Sequence, residues 1–426
     1  MRTPLLSMLL STLLLPLACY ASPATDAQAS DPVVRALTAN GATLSTAIGT
    51  LEDLADADPG RARLALGMAR FFRGGERVVQ TLHRYGAGEP LRTASFLFAR
   101  QVMQIAQNPE PERISADDVR AMIQRWIDDL RAADADLATV DLDGDPKLTI
   151  DLAQLPMDLN GDGVCSPREE PASAFAALFR GGVRLPEGQD SFVLGIDAAD
   201  VHWMRAYCHV MMAAGEMLLA YDNRDMFHRC GHLFFPNVAS DYPFLQQKRP
   251  LDFTGTQVDF GDVAAFVGSL RFPLAEGDGA ARTRRARTHL LEAIGHSRAM
   301  WAAAKAETDN DREWLPAPHQ SSALSQVRIT EQRVAMWLDL LDELEAVLEG
   351  RALVRFWRGD GTRGINLRRA LDEPRDFDLF YWVQGSAAAP YLEDATPETP
   401  FTRERLWADM ERAFGDDLIW SLFYIN

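Results

Sequence analysis

The chain has 426 residues, 47% of them apolar and 24% charged. That composition is globular rather than disordered, and the length allows two domains or one large helical domain. The formal net charge is −18; a field of that sign repels phosphate backbones and anionic lipid and attracts cations, so no nucleic acid is expected as a partner.

The N-terminus reads as an export signal over residues 1–21. Arg2 supplies the positive start, Leu5 to Leu17 the apolar run, and Ala21 the small residue that places cleavage before Ser22. The run is too short for a membrane helix. No transmembrane segment is expected after signal cleavage: Cys208 to Ala220 comes nearest, and it is short and contains Glu216. The expected location is periplasmic or secreted. Leu17-Ala18-Cys19 also resembles a lipoprotein box, although Pro16 stands where such boxes usually carry leucine; that resemblance implies an envelope-anchored protein acylated at Cys19. Cleavage after Ala21 leaves Cys165, Cys208 and Cys230. Cys208 and Cys230 either pair in an oxidising compartment or serve as small buried apolar residues.

Residues 22–31 are small and polar, a linker. From Pro32 the apolar period is helical, with Val33, Leu37, Leu44, Ile48 and Leu51 on one stripe and Leu64, Ala65, Met68, Phe71 and Phe72 on the next. Ser115 is a good N-cap, with Asp117 and Asp118 in the first turn and Val119, Ile123, Trp126 and Leu130 behind it. These elements make an N-terminal helical region over residues 32–140.

The pattern breaks at Asp141, where Gly144, Pro146, Pro156, Gly161 and Gly163 punctuate an acidic stretch. Within it Asp158-Leu-Asn160-Gly-Asp162-Gly163-Val164-Cys165-Ser166-Pro-Arg-Glu169 supplies oxygens at the spacing of an EF-hand calcium loop, and this segment resembles that family. Calcium is a hard cation that takes six to eight oxygens, and a short loop delivers them by wrapping around it. The resemblance implies that Asp158, Asn160, Asp162, the Val164 carbonyl, Ser166 and a bidentate Glu169 bind one Ca2+. Glycine is expected at position 163 because the chain turns there with positive φ and a side chain would clash. Ser166, Pro167 and Glu169 also read as a helix start.

The entry side departs from the family. Pro156 sits where an entering helix belongs, and Thr149 to Leu152 looks extended, so at least one non-helical limb is expected. Cys165 stands where the family prefers a β-branched residue or leucine, and Pro171 interrupts the exit helix. Upstream, Asp141, Asp143 and Asp145 repeat the spacing of the first three ligands, with Pro146 in place of the glycine and Asp151 near the acid position. They are expected to form a degenerate second site or extra acid around the first. The whole segment, residues 141–170, is expected to join the first helical region to a second over residues 171–426.

In that second region Asp197 caps a long helix with Val201, Met204, Cys208, Met211 and Leu218 on its buried stripe. Further helices are expected over 285–306 and 321–348, the latter on Val327, Val334, Leu338, Leu341 and Leu344. Residues 353–357 and 377–383 read as short strands. Loops at 236–259, 273–279 and 308–321 are long. Arg282, Arg284, Arg285 and Arg287 read as a solvated helix start or as partners for surface acid. His202, His209 and Glu216 are spaced by sevens and share one stripe, as do His289 and His296. With His228, Cys230 and His232 the first group has ligand types for a transition metal, against the plainer reading of hydrogen-bonded surface histidines. Asp309 to Glu313 is an acidic cluster that is either solvated or a further cation site. No nucleophile elbow, phosphate loop or dinucleotide fingerprint is present.

The fold expected is mainly α and multi-helical, with few short strands. The leading functional expectation is an exported protein with one structural calcium. The alternatives are a periplasmic metal-dependent hydrolase with calcium as support and a site near His202, His209, His228 and His232, and an envelope-anchored binding module.

Overall fold

The computed structural model describes residues 31–38, 43–87, 108–144, 146–165, 193–247, 260–310, 312–323, 329–404 and 406–414. The export signal with Cys19, the linker up to Ser30, Asp145, Ser166, Glu169 and Val327 lie outside them. The fold is mainly helical, with a few short strands in small sheets.

Three helices open the described chain: α1 (Pro32–Thr38), α2 (Leu44–Ala55) and α3 (Arg61–Arg84). Helix α4 (Ala116–Leu137) starts as its sequence dictates. Ser115 Oγ accepts the Asp118 amide at 3.2 Å, and Asp118 Oδ2 accepts the Ser115 amide at 2.8 Å, a reciprocal cap that satisfies two orphan donors. Strand β1 (Leu148–Asp151) pairs antiparallel with β2 (Val193–Ile196), in a register of Leu148 with Ile196 and Asp151 with Val193. Asp197 then caps α5 (Ala198–Ala220), with Oδ1 accepting the Ala199 amide at 2.8 Å. Helices α6 (Arg224–Cys230) and α7 (Phe260–Gly268) and strand β3 (Arg271–Phe272) lead to α8 (Gly279–Ala306). After α9 (Glu331–Leu348) the chain becomes short pieces: β4 (Val354–Arg355), β5 (Arg363–Ile365), α10 (Leu367–Asp372), β6 (Phe377–Asp378), α11 (Leu379–Gln384), β7 (Leu392–Asp394) and α12 (Leu406–Phe414).

The centre is a helical stack in which α3 packs on α4, α4 on α5, and α5 along α8. Glycines set how close these helices come. A Cβ on Gly67 would lie 2.6 Å from Leu137 Cγ, and one on Gly215 would lie 2.7 Å from Ile127 Cγ1, so each contact requires the absence of a side chain. One core takes buried residues from Val33 through Leu130 and Met211 to Phe414. Described residues of both the 32–140 and the 171–426 regions contribute to this core. Among the described residues no helix is long and apolar enough to cross a membrane.

Four boundaries differ from the sequence expectation. Helix α8 begins at Gly279, ahead of Arg285, with the Arg282 amide donating to the Asp278 carbonyl at 2.9 Å; Gly279 itself sits against the Ala220 carbonyl, where a Cβ would come to 2.7 Å. Helix α9 begins after Thr330, whose side chain accepts the Arg333 amide at 3.2 Å, and Ser322 is instead bridged to Glu313. Residues 377–383 are a strand only at Phe377 and Asp378. Asp378 Oδ1 then accepts the Phe380 amide at 2.9 Å and starts α11, so a helix cap overrides an aromatic run of strand propensity. Residues 353–357 extend only at β4. Cys208 and Cys230 are separate free thiols; Cys208 is buried in α5, and Cys230 Sγ lies 3.8 Å from Ser269 Oγ.

Candidate metal centre

Of the expected calcium segment, residues 141–144 and 146–165 are described. Its entry limb is β1 followed by a 3-10 turn at Leu152–Gln154, in keeping with Pro156 and the extended reading of Thr149 to Leu152. The first half of the loop is tightly wound. Asp158 is buried, and its Oδ1 accepts the Gly161 amide at 2.7 Å while Oδ2 accepts the Gly163 amide at 2.9 Å. Asn160 Oδ1 accepts the Asp162 amide at 2.8 Å, and Asp162 Oδ1 accepts the Val164 amide at 2.8 Å. Gly161 and Gly163 have φ of 82° and 86°. No atom lies within 4 Å of a Cβ built on Gly163, so glycine is needed there for its positive φ and not to avoid a clash.

The loop is fastened to α3. Asp158 donates its amide to Glu76 Oε1 at 2.6 Å, and Gln80 Nε2 donates to the Asp158 carbonyl at 2.6 Å. Glu76 and Gln80 are one helical turn apart, so both face the loop from one side of α3. Burial pushes the Glu76 carboxyl up to about 7 against the opposing pull of Arg73, with which it is paired. The donors of Asp158, Asn160, Asp162 and the Val164 carbonyl are all oxygen, the chemistry calcium takes.

Of the upstream acids, Asp141 and Asp143 are exposed, and Asp141 Oδ1 accepts the Gly144 amide at 3.3 Å. Asp151 is buried at the end of β1, where Gln154 donates to its Oδ2 at 3.0 Å. Among the described residues these three acids are not a convergent group.

Two convergent groups do occur among the described residues. Asp197, Glu307 and Glu313 bring carboxylate oxygens within 4.8 Å of one another. Burial, reinforced by Asp197, pushes Glu307 up to about 7; burial also raises Asp197, and raises Asp200 well above the carboxylate range. Glu313 is thus buried rather than solvated, while Asp309 pairs with Lys147.

The second group lies between α4, α5 and α8. His202 Nδ1 faces His296 Nδ1 at 3.3 Å, and His209 Nδ1 faces His289 Nδ1 at 3.0 Å. The His296 ring stacks beside both His202 and His209. His209 Nε2 lies 3.5 Å from Asp134 Oδ2, whose other oxygen accepts Arg205 Nε at 2.7 Å. Burial opposes ionisation of Asp134, but the hydrogen bonds from His209 and Arg205 outweigh it and hold the carboxyl down to about 2. Burial, then repulsion from His209 and Arg205 respectively, presses His289 and His296 down to about 4.

This arrangement changes the histidine grouping expected from sequence. His202 and His209 meet His296 and His289, whereas His228 lies 3.5 Å from Asp241 and His232 lies 3.3 Å from Asp262. Glu216, the third member of the α5 stripe, is not with the imidazoles. It is buried between Arg282 and Arg285, whose guanidinium groups donate to it at 2.9 and 3.0 Å. Half of the basic cluster is therefore committed to one interior acid, and Arg287 donates to Asp372 at 3.0 Å. The signal for this pairing is in the sequence: His202, His209 and Glu216 ascend α5 in sevens, and Arg282, His289 and His296 ascend α8 in sevens. Antiparallel packing matches the two series rung for rung.

No family model matches this chain, and no curated protein or solved structure matches it.

Proposed function

We propose that this is an exported calcium-binding protein in which residues 158–169 hold one Ca2+ as a structural clamp. The observation that carries the reading is the state of Asp158: a buried carboxylate with both oxygens turned onto the amides of its own loop, in a segment whose donors are all oxygen. In this reading Asp158, Asn160, Asp162 and the Val164 carbonyl supply the first ligands, and Ser166 and Glu169, which lie outside the described residues, supply the rest. Because Asp158 is tied to Glu76 and Gln80, an ion there fastens the chain between β1 and β2 onto α3.

Extracellular calcium modules work at about 10⁻⁴ to 10⁻³ M. A site of about 10⁻⁴ M in 1 mM calcium adds about 1.4 kcal/mol of stability, about 1–2 °C in melting temperature for a chain this long. Titration calorimetry on the mature protein is expected to give one calcium bound in this range, lost in both Asp158→Ala and Glu169→Gln. Unchanged binding in both variants would remove the loop from the account. Lipid analysis at Cys19 separates an envelope-anchored protein from a soluble periplasmic or secreted one.

A further inference from the structure

We propose that Asp134, His209 and His296 form a binding site for a transition-metal dication of the zinc type, bridging α4, α5 and α8. The site is independent of the calcium loop. One ligand atom from each of the three residues lies within 4.8 Å of the others, and the three come from three different long helices. The Asp134 Oδ2 to His209 Nε2 separation of 3.5 Å is at the outer limit of a hydrogen bond. It is close to the spacing of two ligands on one tetrahedral ion, about 3.3 Å for bonds of about 2.0–2.1 Å.

The surroundings have the form that metal-binding imidazoles require. A ligating histidine holds the ion through one nitrogen and is oriented by a hydrogen bond at the other. His209 turns Nε2 to Asp134 while its Nδ1 is engaged by His289 at 3.0 Å. His296 has its Nδ1 engaged by His202 at 3.3 Å, which leaves Nε2 as its metal-binding nitrogen. Arg205 occupies Oδ1 of Asp134 and so turns Oδ2 toward His209. His202 and His289 are thus positioning residues for the two ligands. Nitrogen-rich donors select a borderline dication over calcium, which takes oxygen. Three protein ligands leave one tetrahedral position for water or a small ligand, the open arrangement of reactive rather than purely structural zinc sites. Asp134 and His296 are only half-buried, so an ion has a way in.

The test is zinc titration calorimetry and Co2+ absorption on the metal-stripped full-length mature chain, with His209→Gln and His296→Gln compared with Asp158→Ala. The wild type is expected to bind one Zn2+ and to give the intense visible bands of four-coordinate Co2+. Each Gln variant, checked for unchanged helicity, is expected to lose affinity by more than about 100-fold, beyond the cost of losing a supporting hydrogen bond. Asp158→Ala is expected to keep it. His202→Gln is expected to weaken binding by about 10–100-fold without abolishing it. A wild type that binds no zinc, or Gln variants that bind as tightly as wild type, would overturn the site. If the Gln variants do not fold, a wild-type Co2+ spectrum without those bands overturns it and one with them supports it.

Discussion

Glu76 accepts the main-chain amide of Asp158 at 2.6 Å. A buried side chain in the middle of α3 thereby sets the position of the first residue of an acidic loop far along the chain. Glu76→Ala leaves that amide without its acceptor and Arg73 with Gln80 in place of its carboxylate partner, a cost of about 1–3 kcal/mol for a buried donor. The expected outcome is a lower melting temperature together with weaker calcium binding, read by scanning and titration calorimetry. Equal calcium affinity in wild type and variant would show that the loop holds its shape without α3.

The glycines at 163 and 67 are expected to fail for different reasons. Gly163→Ala meets open space but must hold a φ of 86°, a strain of about 1–2 kcal/mol. Gly67→Ala meets Leu137 at 2.6 Å; overpacking of about 1–3 kcal/mol exceeds the helix propensity regained, which is at most about 1 kcal/mol. Combining Gly67→Ala with Leu137→Ala is expected to cost less than the sum of the single changes. Strict additivity in urea unfolding would deny the contact.

Glu216 is 1% exposed and stands between Arg282 and Arg285. Glu216→Ala strands both guanidinium groups at the α5–α8 interface. Breaking a buried pair from one side costs about 3–5 kcal/mol, with the lower end expected because Arg285 reaches solvent. A loss below about 1 kcal/mol would place the interaction with ordinary surface ion pairs.

Glu307 supplies a pH dependence. Its carboxyl is raised from 4.5 to about 7, first by burial and then by Asp197. A group raised on folding binds its proton more tightly in the native state, so its contribution is full below pH 4.5 and is lost as pH climbs through about 7. Glu307→Gln keeps the neutral form at every pH. It is expected to leave stability unchanged near pH 4 and to raise it at pH 8 by on the order of 1 kcal/mol, discounted for partial exposure. Parallel stability curves for wild type and variant across that range would contradict the shift.

Local chemistry was legible without the fold. Ser115 and Asp197 announce their helices because a cap needs only residues a few positions away. Pro156 and the run Thr149 to Leu152 announce a strand rather than an entering helix for the same reason. Where strand propensity competed with a cap, at Phe377 to Val383, the cap at Asp378 decided, since it satisfies amides that the exposed run leaves open.

The sequence by itself determined a mainly helical chain, the winding of residues 158–164 and the two heptad series of histidines. What only the tertiary structure decided is which series meets which. The sevens shared with Arg282, His289 and His296 make that pairing available, but they do not by themselves choose it over His228 and His232. The choice follows from α5 and α8 packing antiparallel along most of their length, with Glu216 closing on Arg282 one rung further on. Helix periodicity puts side chains on a face, but a face acquires a partner only when burial of two long apolar stripes sets the register between them.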